Sequence, residues 1–362
     1  MGLNARWLVS FALWMFPIAI TLGVMFSIDA ATGGKGIPKS DGGGSLVPPL
    51  NNGTTPEQRC DVFDGVETRV LKGHQAWVLT ANPWGVNGAN TGAICLNTNT
   101  NNNQTYGITS DPKSKFGAPF WSTTWNYPPK ADGSVWAYPN IKAITDTRQI
   151  QQFKALDLNL GWAYNVGNAN TTVITETNEA VLADNGPGNA HANVALDFFV
   201  DPDSGRSEQP DITKQGKFAR AEVMIWFAAY GTSTFPLGKP DLTTTPPVTT
   251  YTDNHGRVFN LWIGFNKDKS TQKPVQVVCT WLPNTAIHTF DGDILPFLTK
   301  LTTDPKVGVA FEALQQANGY QGTLPQPTDY VGYIALGTEA YSTTGGQNVT
   351  FSVPNMGLEI ST

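Results

Sequence analysis

A strict two-residue alternation, repeated in separate segments of the chain, sets apolar side chains against carboxylates, amides and rings, and it narrows the possible folds more than any other feature. In Ala221–Phe227, Ala221, Val223, Ile225 and Phe227 share one face, while Glu222, Met224 and Trp226 share the other. Asn193–Phe199 sets Val194, Leu196 and Phe198 against Asn193 and Asp197. Phe259–Asn266 sets Phe259, Leu261, Ile263 and Phe265 against Asn260, Trp262, Gly264 and Asn266. Tyr333–Tyr341 puts Tyr333, Glu339 and Tyr341 on one side. Successive side chains of a strand point to opposite faces, so each segment reads as a strand with a greasy side and a chemically equipped side. The pattern predicts an all-β sandwich of two antiparallel sheets, one of them curved around an open groove.

Composition agrees. Charged residues make up 14% of 362, against roughly 25% in an ordinary domain. Gly (36), Pro (25) and aromatic residues are plentiful instead, which suits strands joined by many turns. One helix is expected: after Asp291, the residues Ile294, Phe297, Leu298 and Leu301 follow helical spacing. Asp293 is placed to cap it, and Pro296 falls in its first turn. The helix is expected to pack on the convex side of the sandwich, against the outer sheet, and a second short one is expected at 309–317. A net charge of −6 without a Lys/Arg cluster excludes a phosphate-seeking partner such as nucleic acid. A neutral, hydroxyl-rich ligand that stacks on rings, a polysaccharide, fits this surface better.

The N-terminus reads as a targeting segment at 1–30. Arg6 precedes an apolar run from Trp7 to Ile28, followed by Asp29, Ala30 and Ala31. Two readings stay open, a signal peptide cleaved after Ala30 and a retained signal anchor. Membrane contact is expected only through residues 7–28, and the rest of the chain is expected outside the cell. Residues 31–58 read as a disordered linker and 59–362 as one domain, expected to be a monomer. Cys60 and Cys95 flank the first hairpin and are paired on that ground. Cys279, on the side of its strand shared by Val275, Val277 and Trp281, reads as a buried thiol. Loop-like insertions are expected at 97–117, 201–217 and 232–253, and glycosylation sequons stand at Asn52, Asn103, Asn170 and Asn348.

Glu222 and Glu339 lie on polar faces of otherwise apolar strands, flanked by aromatic residues and without an adjacent Lys or Arg. A mid-strand carboxylate is costly unless it meets water or a partner. An ion pair explains one such residue; two together fit glycoside cleavage, where one carboxylate attacks the anomeric carbon and the other moves the proton. Asp197 is expected near Glu222, hydrogen-bonded to it and helping to separate the two glutamate pKa values. Trp84, Trp121, Trp125, Trp136, Tyr138 and Trp226 are candidate sugar platforms, Trp84 foremost because its surroundings, Asn82-Pro83-Trp84-Gly85, are loop-like. The four histidines have no ligand spacing, so no metal is expected, and no Gly-x-Ser-x-Gly elbow occurs to suggest an esterase.

These segments resemble glycoside hydrolase family twelve. Glu222-Val223-Met224-Ile225-Trp226 is similar to the nucleophile strand, Glu-Leu-Met-Ile-Trp, and Gly337-Thr338-Glu339 to the acid/base segment, Gly-Thr-Glu-Pro-Phe. The strand Asn193–Asp197 is similar to the one carrying an accessory aspartate, and Asn82–Gly85 to a sugar-holding Asn-x-Trp-Gly loop. The first two cysteines fall where the family places a disulfide. The resemblance spans 59–362 and implies a β-jelly roll with an open cleft. It also implies retaining endo-hydrolysis of β-1,4-glucan without a cofactor, Glu222 serving as nucleophile, Glu339 as acid/base, and Asp197 assisting. Asn82, Trp84, Met224 and Trp226 become expected substrate contacts. Ala340-Tyr341 departs from Pro-Phe. A xyloglucan-specific enzyme, a non-catalytic wall-binding protein and an anchored surface protein are the alternatives. The linker lacks the Cys and aromatic content of a cellulose-binding module.

Overall fold

The computed structural model describes residues 54–362 apart from 69–71, 87–91, 102–105, 107, 109, 111–114, 169–175, 185, 187, 209–218, 233, 240–244, 269 and 344–345. The targeting segment and the sequons at Asn52, Asn103 and Asn170 lie outside the described residues. The first strands are β1 (Thr54–Cys60), β2 (Val66–Glu67), β3 (Ala76–Thr80), β4 (Ala93–Asn101), β5 (Trp121–Asn126) and β6 (Asn140–Ile144). Next come β7 (Arg148–Gln149), β8 (Ala155–Val166), β9 (His191–Asp201), β10 (Ala221–Tyr230), β11 (Thr249–Thr252) and β12 (Val258–Lys267). After β13 (Pro274–Pro283) and β14 (Thr289–Asp293), two helices follow, α1 (Leu295–Thr303) and α2 (Pro305–Asn318). The chain ends with β15 (Tyr330–Gly337), β16 (Ala340–Ser342) and β17 (Val349–Ser361).

These strands form the expected sandwich. A six-stranded sheet runs β1-β4-β5-β17-β8-β14, and an eleven-stranded sheet runs β11-β12-β13-β10-β9-β15-β6-β3-β2, with β16 on β9 and β7 on β15. One pairing departs from the antiparallel expectation: β10 and β13 are parallel. A parallel pair needs a long connection, here the chain through β11 and β12. The core lies between the sheets. Val223, Ile225, Phe227, Leu196 and Phe198 face it from the larger sheet, and Trp121, Trp125 and Phe351 from the smaller one; all are inaccessible to solvent. Burying each such side chain contributes roughly 1.5–3 kcal/mol.

Several local expectations change. The linker boundary moves, because Thr54 already pairs with Asn101 in the β1–β4 ladder. Asn97 to Asn101 is no loop but the end of β4, with Asn97 and Thr98 buried. The 232–253 stretch closes with β11. Helix α1 adjoins β8 of the smaller sheet at its start. It packs on the core-facing side of β11–β13, where Phe297 meets Phe259 (4.8 Å between ring centroids), Tyr251 (5.0 Å) and Trp281 (5.6 Å). The smaller sheet ends at β14, so the helix completes the core there. The N-cap position falls on Ile294 rather than Asp293, but Asp293 still steadies the start: its Oδ1 accepts from the backbone N–H of Leu295 and of Leu156, each at 2.9 Å. The second helix is longer than 309–317, capped by Asp304 and ended by Gly319 at φ 67°.

Cys60 and Cys95 are direct cross-strand partners joined by a disulfide, and Cys279 is a buried free thiol. The half-buried amide of the Asn348 sequon accepts from Asn126 and donates to Asn168.

Candidate active site

The outward face of the larger sheet collects the equipped sides of its strands. Glu222 stands opposite Phe199 on β9 and Val278 on β13. One step along, Met224 stands opposite Asp197, itself opposite Ala335 on β15. Asp197 is therefore the diagonal neighbour of Glu222. Period-two alternation places these side chains together without help from a loop.

Glu339 arrives differently. The expected single strand Tyr333–Tyr341 is broken after Gly337, and Glu339 occupies the step between β15 and β16. Its backbone N–H leaves the ladder and donates to Asn193 Oδ1 at 2.8 Å, while Asn193 Nδ2 donates to the Glu339 carboxylate. Tyr341 donates its hydroxyl to the same carboxylate oxygen at 3.1 Å. Glu222 has one amide partner, Asn266 on β12, whose Nδ2 donates at 2.9 Å. Asn266 is bonded in turn to Gln276 at 2.8 Å, and Gln276 to the Ala219 carbonyl at 2.9 Å. The role of Asn266 was missed from sequence. Its signal was present, an amide on the polar face of β12, but nothing local identified its partner.

No ion pair among the described residues includes Glu222, Glu339 or Asp197. Burial raises Glu222 to about 7, with the Asn266 hydrogen bond pulling the other way. Burial, then the charge of Glu222, raises Glu339 to about 7, opposed by Tyr341 and Asn193. Burial and the charges of Glu222 and Glu339 hold Asp197 well above the usual carboxylate range. The cluster thus keeps protons that exposed carboxyl groups lose, and an ionised Glu222 favours a protonated Glu339. No hydrogen bond joins Asp197 to Glu222; Asp197 Oδ1 is buried without a partner.

The expected sugar platforms separate sharply. Trp84 is 48% exposed. Trp121 and Trp125 are not platforms, since both lie fully inside the core and Trp125 donates to the Tyr164 hydroxyl at 2.6 Å. Tyr138 is buried under the site, its hydroxyl donating to the carbonyls of Ala195 (3.1 Å) and Ala335 (2.9 Å). Met224 and Trp226 pack with Ala195 and Val278 as a nearly closed floor. Trp136 is half-buried, stacked on Tyr127 at 5.4 Å. Asn82 holds its loop by backbone, at φ 40°, with its carbonyl accepting from the N–H of Trp84 (3.0 Å) and of Tyr138 (3.1 Å). Among the described residues, no group of His, Cys, Asp and Glu is arranged to hold a metal ion.

No protein-family model matches the sequence, and no curated protein does. Solved structures match in fold. The chain superposes on Trichoderma harzianum endoglucanase 3 of family GH12 with a TM-score of 0.54 and 19% identity, covering 84% of this chain and 98% of that one. The catalytic domain of Humicola grisea Cel12A, in complex with a thio cellotetraose, gives 0.52 and 20%, covering 84% and 99%. A family 12 xyloglucanase from Bacillus licheniformis gives 0.52 and 12%, covering 84% and 100%. The chain is similar to these proteins in its jelly-roll fold.

Proposed function

We propose that this protein is a secreted, retaining endo-β-1,4-glucanase acting without a cofactor, with Glu222 as nucleophile and Glu339 as general acid/base. One observation carries the reading: two carboxyl groups with raised pKa values, hydrogen-bonded but in no ion pair among the described residues, share the open face of the larger sheet, one from a strand and one from a bend beside it. Ionised Glu222 attacks the anomeric carbon while Glu339 gives its proton to the departing glycosidic oxygen. Glu339 then takes a proton from water, whose oxygen attacks the same carbon and releases Glu222. Retention calls for about 5–5.5 Å between the two carboxyl groups.

In this reading Asn266 steadies the Glu222 carboxylate, and Asn193 with Tyr341 aims Glu339. Asp197 stays protonated beside the nucleophile. Trp84, with Asn82 shaping its loop, offers the exposed ring on which a sugar stacks. The endoglucanase and cellotetraose named for the fold relatives support β-1,4-glucan as substrate, and the xyloglucanase keeps branched glucan in the test. The Cys60–Cys95 disulfide supports an oxidising location.

The test is reducing-sugar release from carboxymethyl cellulose, barley β-glucan and xyloglucan. Activity is expected on at least the unbranched glucans, and silence on all three sinks the enzyme reading. Proton NMR of the first product should show the β-anomer; an initial α-anomer removes retention.

A further inference from the structure

One connection, residues 127–138, touches both the exposed platform and the acid/base bend. Trp136 donates its backbone N–H to the Ala340 carbonyl at 2.9 Å, and its own carbonyl accepts from the Gly85 N–H at 2.8 Å. Its peptide groups therefore bridge the residue after Glu339 and the residue after Trp84. Ala340 returns a bond to Ala137 at 2.9 Å. The Trp136 ring is fixed from several sides: Nε1–H donates to the Pro128 carbonyl at 2.8 Å, and the face stacks on Tyr127.

Lys130 pins this arrangement. Its ammonium lies 4.0 Å above the Trp136 ring and donates to the carbonyls of Gly85 (2.9 Å) and Val135 (2.8 Å). One cation thus joins the Trp84 loop to the bridging segment through the ring and two carbonyl dipoles. Gly85 leaves no slack, because a Cβ there would lie 2.2 Å from the Val135 carbonyl oxygen and 2.7 Å from Lys130 Nζ. By sequence pattern Trp136 is a candidate sugar platform, and Lys130 stands in no recognisable motif.

We propose that Lys130 is a positioning residue that holds the Trp84 platform in register with the Glu339 acid/base through Trp136. This rests on the glucanase reading. A sugar chain stacked on Trp84 and cleaved at Glu339 must span a fixed distance, and a loosened loop misplaces it at a cost of up to about a hundredfold. Lys130→Met keeps most of the stem and loses the cation, whereas Lys130→Arg keeps a charge able to donate to two carbonyls.

The experiment compares kcat and KM of wild type, K130M and K130R on barley β-glucan and on a short aryl β-cellobioside, with Tm recorded for each. We expect K130M to raise KM for the polymer about tenfold while its kcat on the short substrate stays within about twofold, and K130R to recover most of the loss. In a Trp84→Ala background, K130M should add little, because the platform it positions is gone. Equal KM losses on both substrates, or additive effects of W84A and K130M, would overturn the proposal. If wild type hydrolyses neither substrate, the glucanase reading fails by itself. Cellohexaose binding by calorimetry then decides the Lys130 role: a weaker Kd for K130M than for wild type sustains it, while an equal Kd or no binding overturns it.

Discussion

Glu222 sits inside a regular strand with ladder partners on both sides, whereas Glu339 hangs from the step between two strands and has no ladder bond of its own. Glu222 is placed by its backbone, and Asn266 adjusts only the carboxylate. Glu339 depends on side chains instead: Asn193 holds both its N–H and its carboxylate, and Tyr341 shares the carboxylate. A ladder fixes a side chain through many small bonds to neighbouring strands. A bend concentrates the same task in a few side-chain bonds, most of them from one amide, which leaves the residue freer to face the leaving group and more exposed to a single substitution. The proposed roles follow this division, with attack from the rigid position and proton transfer from the adjustable one.

Amide substitution of the carboxylates should give the largest effect. Glu222→Gln should lower kcat about 10⁴-fold or more on every substrate, because no other group supplies the nucleophile. Glu339→Gln should cost about 10² to 10⁴-fold on glucan, but far less on an aryl glycoside whose acidic phenol leaves without protonation. Similar losses for both variants on both substrates would erase the distinction. The amide partners sharpen it. Asn193→Ala should reduce kcat on glucan about 10- to 100-fold, and Asn266→Ala by about tenfold at most. Both amides favour the ionised carboxylate, so each loss raises the pKa of its partner. N266A should therefore move the acidic limb of the rate profile to higher pH, and N193A should move the alkaline limb to higher pH. A shift of the opposite limb in either variant would reverse the assignment.

Stability gives the smallest effect. Glu222 and Glu339 both titrate higher in the fold than their ordinary value of 4.5, at about 7. In that window the folded chain holds protons that the unfolded chain has released, so their stabilising share is full below about pH 4.5 and lost as pH rises through about 7. Thermal melts should show that decline. At pH 8, Glu222→Gln should melt about 3 °C above wild type, and the gain should vanish at pH 4. An equal Tm at both pH values would mean that neither burial nor charge strains the pair.

Much of this was legible in the residues alone. Alternation identified β9, β10 and β12 and the faces carrying Asp197, Glu222 and Asn266, because strand geometry turns sequence parity directly into side. The buried thiol followed from the same parity, and the disulfide from two cysteines close in sequence. Parity failed where the chain leaves the ladder: it read Tyr333–Tyr341 as one strand and could not see that Asn193 replaces the missing backbone partner of Glu339.

It also failed where a face is covered by something distant in sequence. Trp121 and Trp125 read as platforms, yet Thr123 between them and Ser122 and Thr124 on the other face are all buried too. The sequence by itself determined the sandwich, the equipped faces and the pair of carboxylates, each set by period and chemistry within a few residues. Only the tertiary structure decided which aromatic rings meet solvent, which amides grip the glutamates, and that Lys130 ties the Trp84 loop to Trp136. Those facts depend on what packs across the sheet from remote parts of the chain, and no local pattern records it.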